Sequence, residues 1–457
     1  MRPNVVIFLC DQMRRQATSF MGDVNVFTPN LDRCAHEGIY FTNACSTYPI
    51  CVPFRFTLFT GEYAHSRMIP GLGWRMSPAE TTIAHEMNRL GYQTAYFGKW
   101  HLYGGHVQLP GYGALKVNRT PVPRAYQGGF EYWRGFELRN DPYDTVYFAD
   151  DDPAPRHIEG YQTDGLVDLF EHYVLHDRDR RRPFFSVVSV EPPHPPYIAP
   201  PEYVTRVRGR ELIMPPHVAD SSKKRHLREH TINYYAMIEN LDANVGLVIR
   251  RLEEEQLMEN TIFMFLSDHG DLLGAHGLRN KQYPYEESVG IPLVVYSANA
   301  QLVAKGQVVS TPTCTEDLYP TLLGLVGSKA GDAKPGFDLS PLMRGEAHEV
   351  DRPGVMLQFV AETRPGAPFY DKAWRAFRAE RYKYVVLGDE FGGTPWQLFD
   401  LANDPYEMHN LIDDPNSRTV LKELHGLLYE RLMETQDDYA LKPAFGYAGL
   451  NYWEYAR

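Results

Sequence analysis

Two short apolar runs, each ending in an acid, constrain this fold more than any other feature. Val5-Val-Ile-Phe-Leu9 leads into Cys10, Asp11 and Gln12, and Thr261-Ile-Phe-Met-Phe-Leu266 leads into Ser267, Asp268 and His269. Continuous apolar runs of this length, rich in β-branched residues, read as strands buried on both faces. In open parallel α/β sheets, ligands gather outside the carboxyl ends of the strands. The two ends therefore bring Asp11, Gln12, Asp268 and His269 into one cluster. Two carboxylates, an amide oxygen and an imidazole can hold a divalent cation. Either acid alone would read as a helix N-cap; the repeated pattern points to a shared site.

Apolar runs alternate with helix-like stretches over roughly the first three-quarters of the chain, which predicts βα units and a mainly parallel sheet. A helix is expected over 78–91, with an early proline, an early acid, a late arginine and a closing glycine. Another is expected over 233–255, with Met237, Leu241, Val245 and Val248 on one face. Tyr103 to Gly160, rich in glycine, proline and aromatics, reads as an irregular excursion over the site. Pro200 to His230 carries Arg206, Arg208, Arg210, Lys223, Lys224 and Arg225 and reads as a solvated lid or linker. The boundary between a large domain (1–350) and a small one (351–457) is placed between Gly345 and Pro353, before the strand-like Gly354–Val360. The terminal segment Phe445–Arg457 is unusually aromatic for a chain end. Termini usually fray, so it is expected to dock, on its own domain or on a second copy in a homo-oligomer.

At 457 residues the chain suits one large α/β domain plus a smaller one. A formal net charge of −12 argues against a nucleic-acid partner, which needs basic surface. Cys10, Cys34, Cys45, Cys51 and Cys314 are odd in number and irregularly spaced, so no disulfide framework is expected and a reducing compartment fits. No run reaches the length of a membrane span. The first strand begins after three residues, with no charged leader and cleavage site, which predicts a cytoplasmic protein with no membrane partner.

Three further segments carry chemistry. Cys51, Pro53 and Arg55 stand in the order Cys-x-Pro-x-Arg, followed by an apolar run and Thr60-Gly61. Gly98-Lys99-Trp100-His101 follows the strand-like Thr94–Phe97; on an extended segment Lys99 and His101 face the same way. Pro192-Pro-His194-Pro-Pro-Tyr197 is a proline-fixed loop that can hold His194 still. Lys281 lies one loop beyond Asp268-His269. Together these segments resemble the type I sulfatases of the alkaline phosphatase superfamily. The resemblance extends to Arg381–Tyr384 and Leu398–Asn410, which look like that family's small C-terminal domain.

The resemblance implies a fold: a large, mainly parallel α/β sheet flanked by helices, alkaline phosphatase-like, with a smaller C-terminal α+β domain. It implies that Cys51 is converted to formylglycine by a formylglycine-generating enzyme, and that the aldehyde hydrate is the nucleophile. It implies one divalent metal on Asp11, Gln12, the modified Cys51, Asp268 and His269, calcium first and manganese as the alternative. Arg55 would support the nucleophile, Lys99 and Lys281 would neutralise charge on the transferring group, His101 would act as base and His194 as acid toward the leaving group. The expected activity is hydrolysis of a small anionic sulfate ester. Many members carry two aspartates at the first metal site and Asp-Asn at the second. Gln12 and His269 depart from this and look more like the branch of phosphonate monoester hydrolases and choline sulfatases. Phosphonate monoester or phosphodiester hydrolysis in the same site is therefore the alternative. Trp74, His106, Tyr112, Arg119, Arg124 and Trp133 are candidates for the pocket that receives the leaving group.

Overall fold

The computed structural model describes residues 2–104, 119–218, 224–331, 334–362, 364, 366–370, 372–389, 392–439 and 441. The strands are β1 (Asn4–Asp11), β2 (Ile39–Phe41), β3 (Ala44–Cys45), β4 (Gln93–Lys99), β5 (Tyr132–Phe136), β6 (Val146–Ala149), β7 (Arg156–His157), β8 (Phe184–Pro193), β9 (Thr261–Ser267), β10 (Leu293–Tyr296), β11 (Gln307–Val309), β12 (Thr313–Cys314), β13 (Gly354–Phe359), β14 (Trp374–Ala379), β15 (Tyr382–Asp389) and β16 (Gly392–Asp400). Ten of them form one sheet, in the order β11-β2-β10-β9-β1-β8-β4-β5-β6-β7. β1 lies at its centre, parallel to both β8 and β9, and β4 runs parallel to β8 and β5. β10, β6 and β7 run antiparallel to their neighbours.

The period-2 geometry of the strands divides the core. Val5, Ile7 and Leu9 of β1 pack with Phe185, Val187, Met264 and Leu266 on one side of the sheet, and Val6 and Phe8 pack with Val188, Phe263 and Phe265 on the other. The helices Cys51–Thr60 and Thr315–Leu325 cover the first side; Gln162–His172 and Lys224–Glu254 cover the second. Every residue of β1 and β9 is buried, as the apolar runs predict. β3 and β12 form a separate parallel pair, and the four-stranded sheet β13-β14-β15-β16 is antiparallel. One of its faces joins the first core through Leu357, Phe359 and Trp374; the other packs Tyr384 and Val386 on the helix Arg418–Glu434. The large, mainly parallel sheet with a small C-terminal α+β domain is thus the observed fold.

Several local readings need correction. The helix expected over 78–91 is Ile83–Arg89: Thr82 caps it in a reciprocal capping box with His85, and Pro78 lies in the turn before it. The helix expected over 233–255 is Lys224–Glu254 and begins inside the segment read as a lid. Much of that segment is helical, because Pro201–Arg208 forms a further helix. Three of its basic residues are neutralised locally, Arg208 by Glu229 and Arg206 and Arg210 by Glu239. Within Tyr103 to Gly160, the described residues 119–160 are less irregular than their composition suggests, since they supply β5, which pairs with β4 over Ala95–Lys99. No helix among the described residues is long and apolar enough to cross a membrane.

Candidate active site

The carboxyl ends of β1, β4, β8 and β9 converge on the amino terminus of the helix Cys51–Thr60. Register puts Cys10 beside Ser267, so Asp11 and Asp268 leave the sheet side by side, and the Asp268 N–H donates to the Cys10 carbonyl (3.2 Å). Ile50 is extended, so the helix starts at Cys51. Pro53 falls in the first turn, where a missing N–H costs nothing. Gly61 closes the helix in the left-handed region (φ 71°), and all ten residues between are buried.

Cys51 Sγ lies 3.7 Å from each Asp11 oxygen, 3.3 Å from His269 Nε2 and 3.2 Å from Lys281 Nζ. The ligand atoms of Asp11, Cys51, Asp268 and His269 all fall within 4.8 Å of one another, and all four residues are buried. His269 Nε2 faces Asp11 Oδ1 at 3.6 Å and Asp268 Oδ1 at 3.4 Å. Gln12 donates its backbone N–H to Asp268 Oδ1 (3.0 Å) and its side-chain amide to Asp271 (2.8 Å), which leaves Oε1 to accept from Lys281 Nζ (2.8 Å). Lys99 is paired with Asp11. Arg55, one turn after Cys51, donates to the Lys99 carbonyl and to Ser189 Oγ (both 2.8 Å) and lies 3.6 Å from Asp268. It ties the helix to the ends of β4 and β8.

The electrostatics are those of a cation site. Burial would raise the Asp11 carboxyl, but Lys99, His194 and Lys281 outweigh it and hold it well below the usual range. Burial and repulsion from Asp11 push Asp268 up to about 7. His269 is held neutral by burial and Lys281. Its Nδ1 faces the Gly270 carbonyl at 3.1 Å and so carries the proton. The Nε2 lone pair therefore faces two carboxylates, an unfavourable arrangement that a divalent ion between them would relieve. The donor set thus fits a metal. Burial and then Asp11 push the Cys51 thiol up to about 11, which makes the thiol itself a weak nucleophile at neutral pH.

His194 is half-buried in the proline loop, and its Nδ1 donates to the Pro195 carbonyl (2.6 Å). Nε2 is then the atom free to exchange a proton. Burial, Lys281 and Lys99 hold the ring well below its usual range. His101 is buried, but β4 ends at Lys99 and His101 sits at φ 58°, so the extended alternation expected of Lys99 and His101 does not apply. Its N–H donates to the Glu137 carbonyl (2.9 Å).

The candidates for the leaving-group pocket fare less well. Trp133 is fully buried and stacked on Tyr96 (4.9 Å), so it is core. Trp74 packs on Phe56, Arg119 pairs with Asp144 and Arg124 with Gln127. His106, Tyr112 and the tail 445–457 lie outside the described residues. Sequence reasoning missed Asp271, which orients Gln12 and accepts from Tyr197 (2.6 Å), and Trp374, whose indole N–H donates to the Gln282 carbonyl (2.9 Å) next to Lys281. Neither belongs to a motif. The spacing Asp268-x-x-Asp271 was the only available signal.

Comparison with known proteins agrees with this geometry. Residues 3–328 match the family model described as Sulfatase, and residues 274–435 match that of the N-sulphoglucosamine sulphohydrolase C-terminal region. The chain is similar to the ulvan-active sulfatase of Formosa agariphila, with 33% identity covering 99% of this chain and 88% of that protein. It resembles a solved structure from Bacteroides fragilis assigned as the sulfatase yidJ, with TM-score 0.83 and 28% identity over 95% of this chain and 96% of that one. The phosphonate monoester hydrolase of Agrobacterium radiobacter shares the fold, with TM-score 0.76 and 22% identity over 95% of this chain and 96% of that one.

Proposed function

Since this chain belongs to the sulfatase family, we propose that it hydrolyses sulfate monoesters at the Cys51 centre through a formylglycine hydrate, releasing inorganic sulfate. The observation that carries this reading is the position of Cys51: one side chain, at a helix amino terminus, within reach of Asp11, His269 and Lys281 at once. Formylglycine at position 51 would supply an oxygen nucleophile, and a divalent ion on Asp11, Gln12, Asp268, His269 and the modified Cys51 would polarise the ester oxygens. Calcium suits the oxygen ligands, and the imidazole keeps manganese as the alternative.

The chain's own residues do the rest. Lys99 and Lys281 neutralise charge on the transferring group from fixed, buried positions. Arg55 holds the helix against the ends of β4 and β8, which fixes position 51 relative to the acids. His194 delivers a proton from Nε2 to the departing oxygen. It is neutral in the free site, and a bound anion favours its charged form. His101 accepts a proton as the product departs. Maturation requires a formylglycine-generating enzyme as partner. The name of the ulvan-active relative makes sulfated saccharides the first class of leaving group to test.

A paired rate assay tests the reading. Chain coexpressed with a formylglycine-generating enzyme should turn over p-nitrophenyl sulfate faster than p-nitrophenyl phenylphosphonate. The reverse order would make phosphonate or phosphodiester hydrolysis, to which Gln12 and His269 point, the better assignment.

A further inference from the structure

A second cluster of metal-ligating side chains lies outside the Cys51 centre and shares no residue with it. His217 follows the helix Pro201–Arg208, His276 sits in the loop between His269 and Lys281, and Glu287 belongs to the short helix Glu286–Val289. One nitrogen or oxygen atom from each falls within 4.8 Å of the others, and His217 Nε2 stands 2.8 Å from a Glu287 oxygen. His217 and Glu287 are 7% and 3% exposed. Among the described residues, Nδ1 of His217, Nε2 of His276 and Oε2 of Glu287 have no hydrogen-bond partner, and Nε2 of His217 has Glu287 alone. Buried polar atoms left in this state are costly, and their presence on three residues whose ligand atoms lie this close calls for a shared partner.

We propose that His217, His276 and Glu287 bind a zinc ion that holds the Lys281 loop in place. Two imidazoles and one carboxylate match a zinc donor set better than the all-oxygen sets of calcium or magnesium. The rings are pre-set: His217 stacks on Tyr406 (4.9 Å) and His276 on Tyr285 (3.9 Å). A cavity of about 280 Å³, lined by His217, Glu287, Arg14, Met214, Tyr235 and Tyr406, opens onto two of the three ligands. The ligands come from segments that the backbone already brings together. His276 N–H donates to the His217 carbonyl (3.0 Å), and Val218 bridges Ala275. An ion here would join the segment that carries Lys281 to two others.

The test is metal binding by the full chain. Protein stripped by a chelator and dialysed is loaded with Zn²⁺ and, separately, Co²⁺; bound metal is counted by mass spectrometry and the cobalt visible spectrum is recorded. Asp268→Asn, which removes a ligand of the Cys51 centre, should still retain one zinc equivalent and show an intense four-coordinate cobalt spectrum, and wild type should retain at least that one. His276→Gln and Glu287→Gln should each weaken retention at least tenfold, with circular dichroism confirming the fold. The half-buried His276 keeps the test decisive if the Glu287 variant does not fold. Wild type that retains no zinc, or retention unchanged in the His276 variant, would reduce the cluster to a plain His–Glu pair. Loss in Asp268→Asn alone would move the ion to the Cys51 centre. Either outcome overturns the proposal.

Discussion

Gln12, His101, Asn280 and Gln282 all hold left-handed backbone (φ 71°, 58°, 62° and 86°), and each lies in or beside the site. Non-glycine residues in this region cost of order 1–3 kcal/mol each and persist only where their surroundings fix them. Here the fixing groups are visible: Asp271 and Lys281 on Gln12, and Trp374 on the Gln282 carbonyl. Sequence reading could single out Asp11, Cys51, Lys99 and Asp268-His269, because each follows an apolar run or sits in a recognisable string. It could not see the strained backbone, since no residue type marks it. For the same reason the alternation assumed for Lys99 and His101 gave way. Lys281→Ala should lower kcat by about 100-fold or more while circular dichroism stays unchanged, because Lys281 is a preorganised cation 3.2 Å from Cys51 Sγ. A loss under threefold in steady-state assays would remove Lys281 from the chemistry.

Strands were more legible than helices. An apolar run between polar flanks has few alternatives, whereas a helix boundary depends on which residue caps it; Thr82 and His85, rather than Pro78, start the helix that follows. The C-terminal element pair offers a test. His425, in the helix Arg418–Glu434, is buried against β15, with Nδ1 3.0 Å from Tyr384 Oη. Burial lowers its pKa from 6.5 to about 4. The unfolded chain therefore takes up the proton first. This contribution to stability is complete above about pH 6.5 and is lost as pH falls toward 4. Urea titrations at pH 7 and pH 5 should show a loss from this group of roughly 2 kcal/mol. That part of the pH dependence should disappear in His425→Gln.

Across the whole molecule, the small domain is joined to the large one by buried charge. Glu286 accepts from Arg15 (2.7 Å), which follows the β1 end, and from Arg378 (3.2 Å) and Lys383 (3.1 Å) of β14 and β15; Lys383 also pairs with Glu407 (2.6 Å). Burial would raise the Glu286 carboxyl, but Arg378, Lys383 and Arg15 hold it well below its usual range. Glu286→Ala would leave these cations buried without their shared partner, at a cost of about 3–5 kcal/mol in unfolding free energy. Denaturant melts that match wild type would show that the domains do not depend on this cluster. The mainly parallel sheet was legible from hydrophobic pattern, and the small C-terminal domain from its resemblance to the sulfatase family. The joint was not, because Arg15, Glu286, Arg378 and Lys383 are far apart in sequence and look like ordinary surface charge.

The most direct test of the central claim is the mass of the peptide containing position 51, measured on the same samples whose turnover of p-nitrophenyl sulfate is assayed. Activity should rise in proportion to the fraction carrying the aldehyde, and chain made without the maturation enzyme, with Cys51 intact, should be inactive. Equal turnover from chain with an unmodified Cys51 thiol would contradict that claim.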